Sequence, residues 1–315
     1  MNSQRISWLA EDDASRHVLE LATKVAATST TVLITGESGS GKDHLARLIH
    51  ETSPRRDAPY LKIDCASLPP ELVESELFGH EKGAFTGAVE RKLGRMELAR
   101  GGTIVLDEVA ALAPAMQSKL LRVIEERTFE RLGGTDALRI DARLIALTNA
   151  DLERLVAGGH FREDLFYRLK VFTIALPPLR QRVADILPLA EELLARLAAV
   201  HGRAEIAFDA ATRRLLETYS WPGNVRELRN CIERALVFSS GTVLRPVDFP
   251  DSLRAAGSAA TAAADGAALR SLEDLEREAI AATLEATHYK ISKSAEILGI
   301  SRKTLLEKRK KYGLG

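Results

Sequence analysis

The string Gly36-Glu37-Ser38-Gly39-Ser40-Gly41-Lys42 sits directly behind a β-branched run at residues 31–35 and directly ahead of an amphipathic stretch. Its glycines let the backbone turn tightly enough for successive N–H groups to converge on one point, and a helix starting at its end adds a positive pole. Such a loop cradles phosphate, with the terminal lysine reaching the outer phosphates. It works only where a strand feeds a helix, so it confines the chain to an α/β layer. The rest of the first half obeys that constraint. Apolar runs at residues 60–64, 103–106, 143–148 and 171–175 alternate with longer amphipathic stretches, which is the pattern of a parallel sheet covered by helices.

After Leu176-Pro177-Pro178-Leu179 the strand signals stop. Helical periodicity at residues 185–200, 209–218 and 225–238 predicts a small helical lid. An alanine- and glycine-rich segment from 251 to about 269 has no large apolar face to bury and reads as a flexible linker. The predicted organisation is a nucleotide-binding α/β domain at 1–176, a helical lid at 177–250, a linker at 251–270 and an all-α unit at 271–315. Overall charge is uninformative, since 44 basic and 44 acidic residues cancel. The last residues are different: from His288 onward, Lys290, Lys293, Arg302, Lys303, Lys308, Arg309, Lys310 and Lys311 face only Glu296 and Glu307. A basic footprint for nucleic acid is therefore confined to one end.

Cys65 and Cys231 lie far apart with no metal-ligand spacing, so both read as buried thiols in a reducing compartment. The N-terminal residues lack a signal region and no run approaches 18 apolar residues, so a cytoplasmic protein without a membrane span is expected.

The strand ends supply the candidate chemistry. Ile104-Val105-Leu106-Asp107-Glu108 ends an apolar strand on two carboxylates, of which Asp107 can hold Mg²⁺ and Glu108 can orient water. Together with residues 36–42 it makes ATP and Mg²⁺ the expected cofactors. Asp43 stands where most phosphate loops carry a Ser or Thr hydroxyl for the metal. Thr148-Asn149 ends the fourth strand, from which Asn149 can sense a γ-phosphate or the attacking water. Arg162 and Arg168 lie six apart on an expected helix. At the far end, Leu272, Leu275, Ala279, Ala282 and Leu284 suggest an amphipathic helix, and Ile291, Ala295 and Leu298 a second. Ser301 can cap a third helix, with Ile300, Leu305 and Tyr312 inward and Arg302, Lys303, Thr304 and Lys308 outward.

One segment is not needed by nucleotide chemistry. Gly83-Ala84-Phe85-Thr86-Gly87-Ala88 is an apolar hexapeptide whose glycines allow its tip to project. With the preceding Glu74-Ser75-Glu76-Leu77-Phe78-Gly79-His80-Glu81-Lys82, it resembles the signature of the sigma-54-dependent transcriptional activators, or bacterial enhancer-binding proteins. That resemblance covers nearly the whole chain. It implies an AAA+ P-loop domain, a helical lid and a Fis-type helix-turn-helix, with Ser301, Arg302, Lys303, Thr304 and Lys308 on DNA. An acid after the phosphate-loop lysine is usual in the family, as Asp43 is here. The segment around Arg162 and Arg168 resembles the arginine finger acting on a neighbouring subunit, and Trp221-Pro222-Gly223-Asn224-Val225-Arg226 resembles sensor II, with Asn224 readable as a helix cap. Asp64 replaces an Asn that restrains the water-orienting glutamate, and is expected to face Glu108 as a like charge.

The implied partners are sigma-54 RNA polymerase holoenzyme, touched by residues 83–88, and enhancer DNA. Self-association into a hexamer is implied, of this chain alone or with a related subunit. The resemblance starts almost at Met1, leaving no room for a receiver, so control by an inhibitory or co-activating protein in trans is expected, with a truncated chain as the alternative. Two alternatives stay open: a DNA-binding regulator of this architecture that does not remodel polymerase, and another AAA+ remodelling ATPase.

Overall fold

The computed structural model describes residues 8–203, 206–254, 272–287 and 289–314. It divides into two compact units, Met1–Arg254 and Ala255–Gly315.

The first unit opens with α1 (Asp13–Ala26), then alternates strands and helices: β1 (Val32–Thr35), α2 (Lys42–Glu51), β2 (Tyr60–Asp64) and α3 (Pro70–Phe78). Two two-residue strands, β3 (Gly79–His80) and β4 (Lys92–Leu93), bracket the glycine-rich loop, and α4 (Arg95–Leu98) follows. Next come β5 (Thr103–Asp107), α5 (Pro114–Glu126), the short pair β6 (Thr128–Phe129) and β7 (Leu138–Arg139), and β8 (Arg143–Thr148). The layer ends with α6 (Leu152–Ala157), α7 (Glu163–Leu169) and β9 (Phe172–Ala175). The main sheet is wholly parallel, in the order β2-β5-β8-β1-β9.

Both faces of that sheet are covered, and the alternation of side chains decides which residue serves which face. Leu33, Ile104, Leu106, Leu144 and Ala146 pack with Leu77, Met116, Leu120 and Leu165 from α3, α5 and α7. Their neighbours Val32, Ile34, Val105, Ile145 and Leu147 pack against Val18, Val25, Leu45 and Ile49 from α1 and α2. Burial on both sides explains why these strands read as continuous apolar runs. Arg143, 1% exposed, is a buried cation of this layer and donates to the carbonyls of Val25 (2.8 Å) and Ala26 (3.1 Å) at the end of α1. Val25 O also accepts from Thr28 N at 3.0 Å, so Arg143 matters most to Ala26 O, and burial pushes the guanidinium pKa down to about 10.

The lid is built from α8 (Ile186–Val200), β10 (Ala207–Phe208), α9 (Ala210–Thr218), α10 (Asn224–Phe238) and β11 (Val243–Leu244). Its core closes around Trp221, whose indole N–H donates to Leu216 O at 2.8 Å. Leu253, 1% exposed, belongs to that core, so lid packing runs past residue 250 into the start of the expected linker. The remainder of that linker, residues 255–270, lies outside the described residues. Cys65 is buried as expected, whereas Cys231 is only half-buried. Among the described residues no helix is long and apolar enough to cross a membrane.

The second unit contains α11 (Leu272–Ala286), α12 (Ile291–Ile297) and α13 (Arg302–Lys311). Ile280, Leu284, Ala295 and Leu305 form its buried centre. The inward face of α11 is Ile280, Leu284 and Thr287, at helical spacing, while Ala279 and Ala282 are exposed. This corrects the expectation that those alanines face inward; the side chains of Leu272 and Leu275 lie outside the described residues.

Replacing Arg143 by Ala should leave the Ala26 carbonyl without its partner and a cavity beside it, a loss on the order of 3 kcal/mol. In thermal unfolding of the full chain this should appear as a fall in Tm of roughly 10 °C.

Candidate functional site

The carboxyl ends of β1, β2, β5 and β8 lie side by side, with Thr35 opposite Thr148 and Asp64 opposite Asp107. Ligands bind at this edge of a parallel sheet, where loops leave the strands. Residues 36–41 leave β1 there and open α2. Gly36 and Gly39 have φ of 153° and 74°, and a Cβ on Gly39 would stand 2.5 Å from the carbonyl of Gly223, so close backbone approach demands glycine. Lys42, 7% exposed, donates to the carbonyls of Gly36 (2.8 Å) and Glu37 (3.2 Å) and lies 3.9 Å from Glu108. Burial lowers its pKa, and Glu108, Asp107 and Asp43 oppose that shift.

Asp107 and Asp43 share one cation. Lys62 on β2 places its Nζ 2.7 Å from Asp107 Oδ2 and also hydrogen-bonds Asp43 Oδ1. Burial works to lower the Lys62 pKa, and the hydrogen bonds to Asp107 and Asp43 reverse this, leaving it raised. No cluster of three metal-ligating side chains exists among the described residues. Two hard oxygen donors already gathered about a cation nevertheless suit a small divalent ion that takes its other ligands from phosphate and water.

Glu108 stands in the left-handed region at φ 51°, uncommon for a residue with a side chain and a mark of strain held by its surroundings. Its Oε2 accepts from the backbone N–H of Asn149 at 3.1 Å, while the Asn149 side chain is exposed. Asp64, expected to face Glu108 as a like charge, is held by its own turn. Its Oδ1 accepts from Ala66 N (2.9 Å) and Ser67 N (3.2 Å), because the turn leaving β2 offers two unpaired donors within reach.

The lid grips the phosphate loop from the other side. Arg180 holds Glu37 with both nitrogens at 2.9 and 2.6 Å, Arg226 donates to Ser38 Oγ at 2.8 Å, and Arg182 to Ser40 O at 2.6 Å. Asn224 does not cap its helix. It adopts φ 52° as the first residue of α10, accepts from Leu179 N at 2.7 Å, and donates to Glu37 and Ser38 O at 3.1 Å each. The helix start is satisfied instead by Glu227, which accepts from Gly223 N at 2.8 Å. Between lid and loop lies a cleft of about 290 Å³ lined by Lys42, Asp43, Asp107, Glu108, Arg226 and Arg229. A recess of about 170 Å³ adjoins it, where Trp8 stacks on His44 with ring centres 5.7 Å apart. The Trp8 indole N–H, Ser40 Oγ and Arg182 Nε are buried there without a protein partner. The arrangement offers an aromatic-lined recess continuous with a cleft carrying both basic and acidic side chains, which suits a purine nucleotide and its metal ion.

The remaining predicted residues lie elsewhere. Arg162 precedes α7 with extended backbone rather than lying on a helix, bonded to Asp164 and to Ser118 Oγ (3.0 Å), and Arg168 pairs with Glu125. Both are exposed. The hexapeptide is closed at its base by Gly83 N donating to Ala88 O at 2.8 Å, and Gly83 and Gly87 have φ of 81° and 113°. Phe85, 41% exposed, lies edge-on to His80 with ring centres 5.0 Å apart, and Thr86 is exposed beside it. Arg131, from the turn between β6 and β7, binds Glu97 through both ends and Glu81 at 2.8 Å, bracing the loop root. In the second unit Ser301 caps α13, accepting from Thr304 N at 3.1 Å, and Arg302 and Lys303 are exposed. Lys308 does not point freely outward: it bonds Glu276 on α11, whose other oxygen accepts from Tyr312 at 2.6 Å.

Sequence reasoning missed Lys62, Arg180, Arg182 and Trp8. Lys62 was detectable, since it stands two residues before Asp64 and hence on the same side of β2. The lid arginines carry no local signal, because their partners lie more than 140 residues away.

Residues 8–175 match the family described as the sigma-54 interaction domain, residues 180–266 the AAA+ ATPase lid domain, and residues 271–312 the Fis family of bacterial regulatory proteins. The chain is 50% identical over 297 residues to the alginate biosynthesis transcriptional regulatory protein AlgB of Pseudomonas aeruginosa, covering 94% of this chain and 65% of that protein. It is 48% identical over 299 residues to the Nif-specific regulatory protein of Klebsiella pneumoniae, covering 94% and 56%. The chain thus spans less than two thirds of the length of either relative. Among solved structures, NtrX from Brucella abortus in complex with ATP superposes with a TM-score of 0.73 at 34% identity, covering 98% of this chain and 70% of that one.

The Arg180 and Asn224 contacts hold the Glu37 carboxyl down to about 2, from an ordinary 4.5. A depressed carboxyl stabilises the fold fully above its unfolded pKa and loses that contribution as pH falls toward the folded value. The stability difference between the parent and Glu37→Gln should therefore be constant above about pH 4.5 and shrink as pH falls toward about 2, read from urea unfolding at each pH.

Proposed function

Because this chain belongs to the sigma-54-dependent transcriptional activators, we propose that its ATPase cycle remodels the closed complex of promoter DNA and sigma-54 RNA polymerase. The observation that carries this reading is the hexapeptide: Phe85 and Thr86 stand exposed on a closed, braced loop in the same unit as a nucleotide cleft. An ATPase that acted only on nucleotide would have no use for an apolar tip of this kind.

In this reading the purine enters the slot beside Trp8 and the phosphates lie along the N–H groups of residues 36–42. Lys42 leaves the loop carbonyls it now holds and turns to the outer phosphates. Asp107 would hold Mg²⁺, which would supply neutralisation of the phosphate charge. Glu108 orients the attacking water, its carboxylate steadied by the Asn149 N–H. Arg226 reads the nucleotide from the lid, moving from Ser38. Arg162 and Arg168, both on the exterior, reach the γ-phosphate of the next subunit in a hexameric ring, where added positive charge stabilises the transition state. Loss of that phosphate releases strain through β5 and α3 to the loop, which changes the presentation of Phe85 and Thr86 to sigma-54.

The second unit positions the ring. Arg302, Lys303 and Thr304 at the start of α13 face the major groove of enhancer DNA, and paired units on a two-fold site would double the contacts. Ser301 holds the helix start in place.

Thr86→Ala should abolish sigma-54-dependent transcription in a reconstituted assay while ATP turnover stays within about twofold of the parent. Glu108→Gln should cut turnover by about a hundredfold or more with nucleotide still bound. Transcription unchanged in Thr86→Ala would overturn the proposed role of the loop, and a regulator that binds DNA without remodelling polymerase would then be the better description.

A further inference from the structure

Lys62 is the cation that Asp43 and Asp107 share, and nothing in the hydrolysis scheme uses it. It lies on β2, the edge strand of the sheet, in register with Val105 of β5. Side chains two residues apart on a strand share a face, so Lys62, Val105 and Asp107 all stand on the side where Val105 packs with Leu45 and Ile49 of α2. Asp43, in the first turn of α2, stands on that side too. The ammonium therefore bridges the loop helix and the strand end, 2.7 Å from Asp107 and hydrogen-bonded to Asp43. It is not locked in: the side chain is 34% exposed, and its edge strand leaves an open route to solvent.

We propose that Lys62 is an internal counter-ion that occupies the cation position between Asp43 and Asp107 when nucleotide is absent and swings outward when a metal–nucleotide complex enters, thereby setting the metal concentration that binding requires. This rests on reading the cleft as a metal–nucleotide site. A divalent ion on Asp107 and an ammonium within bonding distance of the same oxygen repel each other, so the two cations compete. Lysine suits the task because its charge is compact and its stem flexible, allowing the head to leave without unfolding the strand. With no metal present, the same charge keeps two carboxylates from repelling incoming phosphates. Lys62 is thus a positioning residue for the site.

The test is equilibrium binding of the fluorescent analogue mant-ADP to the full chain, titrated with Mg²⁺ and repeated in EDTA. Lys62→Met should lower the Mg²⁺ concentration for half-maximal binding by about tenfold and weaken binding in EDTA by a similar factor, whereas Lys62→Arg should return both toward the parent. An unchanged Mg²⁺ midpoint in folded Lys62→Met overturns the proposal. A second measurement needs no variant: amine labelling of Lys62 in the parent, followed by peptide mass spectrometry, should rise several-fold with Mg²⁺ and ADP together but not with ADP in EDTA. Labelling that is unchanged or reduced contradicts the outward swing. If the parent binds mant-ADP equally with Mg²⁺ and with EDTA, the metal–nucleotide reading itself fails, whatever Lys62 does.

Discussion

The carbonyl of Gly223 presses against Gly39 so closely that no side chain could fit between them, and Val225 N donates to Gly39 O at 3.0 Å. At this point the helical lid meets the phosphate loop backbone to backbone, with the Arg226 Cβ beside it. Everything nearby is arranged around that approach: Glu37 with Arg180, Asn224 with Ser38, and Arg182 with the carbonyl of Ser40. A phosphate loop strapped on its outer side to a second body cannot change shape by itself. Whatever enters between Lys42 and Arg226 must be felt by the lid as well, and that is the physical basis on which occupancy of the cleft can become movement.

The opposite side of the same sheet carries the consequence outward. Glu108 and Asp107 end β5, and Cys65 N donates to Asp107 O at 2.9 Å, tying the start of the segment that leads into α3 to that strand end. From α3 the chain passes directly into β3 and the glycine-bracketed loop. His80 sits in both systems, hydrogen-bonding Ser75 on α3 and packing against Phe85 at the tip. Arg131 and the backbone pairing of Leu132 with Gly79 and Glu81 fix the root of the loop while its tip stays exposed. A braced root with an exposed tip fits the loop movement proposed above, in which a small shift at the strand end would be expressed as a larger one at Phe85.

The strands β1, β5 and β8 were legible because burial on both faces leaves a continuous apolar run, and the partly buried edge strands β2 and β9 were legible as short runs between helical stretches; the observed bounds of β2 and β8 coincide with residues 60–64 and 143–148. The lid helices and α13 were legible from periodicity and the Ser301 cap. What escaped was either very short or long-range. Two-residue strands such as β3 and β6 have no period to detect. Asn224 looked like a cap because its local sequence permits one, yet distant loop atoms satisfy it better. Lys308 looked outward because its own helix is basic, and only Glu276 on α11 shows otherwise. The two N–H groups that Asp64 accepts from in its own turn were not foreseen either.

Glu108 turns with φ of 51°, a geometry that disfavours any residue with a Cβ by about 1–3 kcal/mol. The strand end is therefore a place where stability and reactivity are set against each other: a glycine there would relax the backbone and remove the acid. Selection for a sturdier fold and selection for turnover pull this position in opposite directions. Under the role proposed for Glu108, a chain that keeps glutamate in that posture holds its acid ready before any nucleotide arrives.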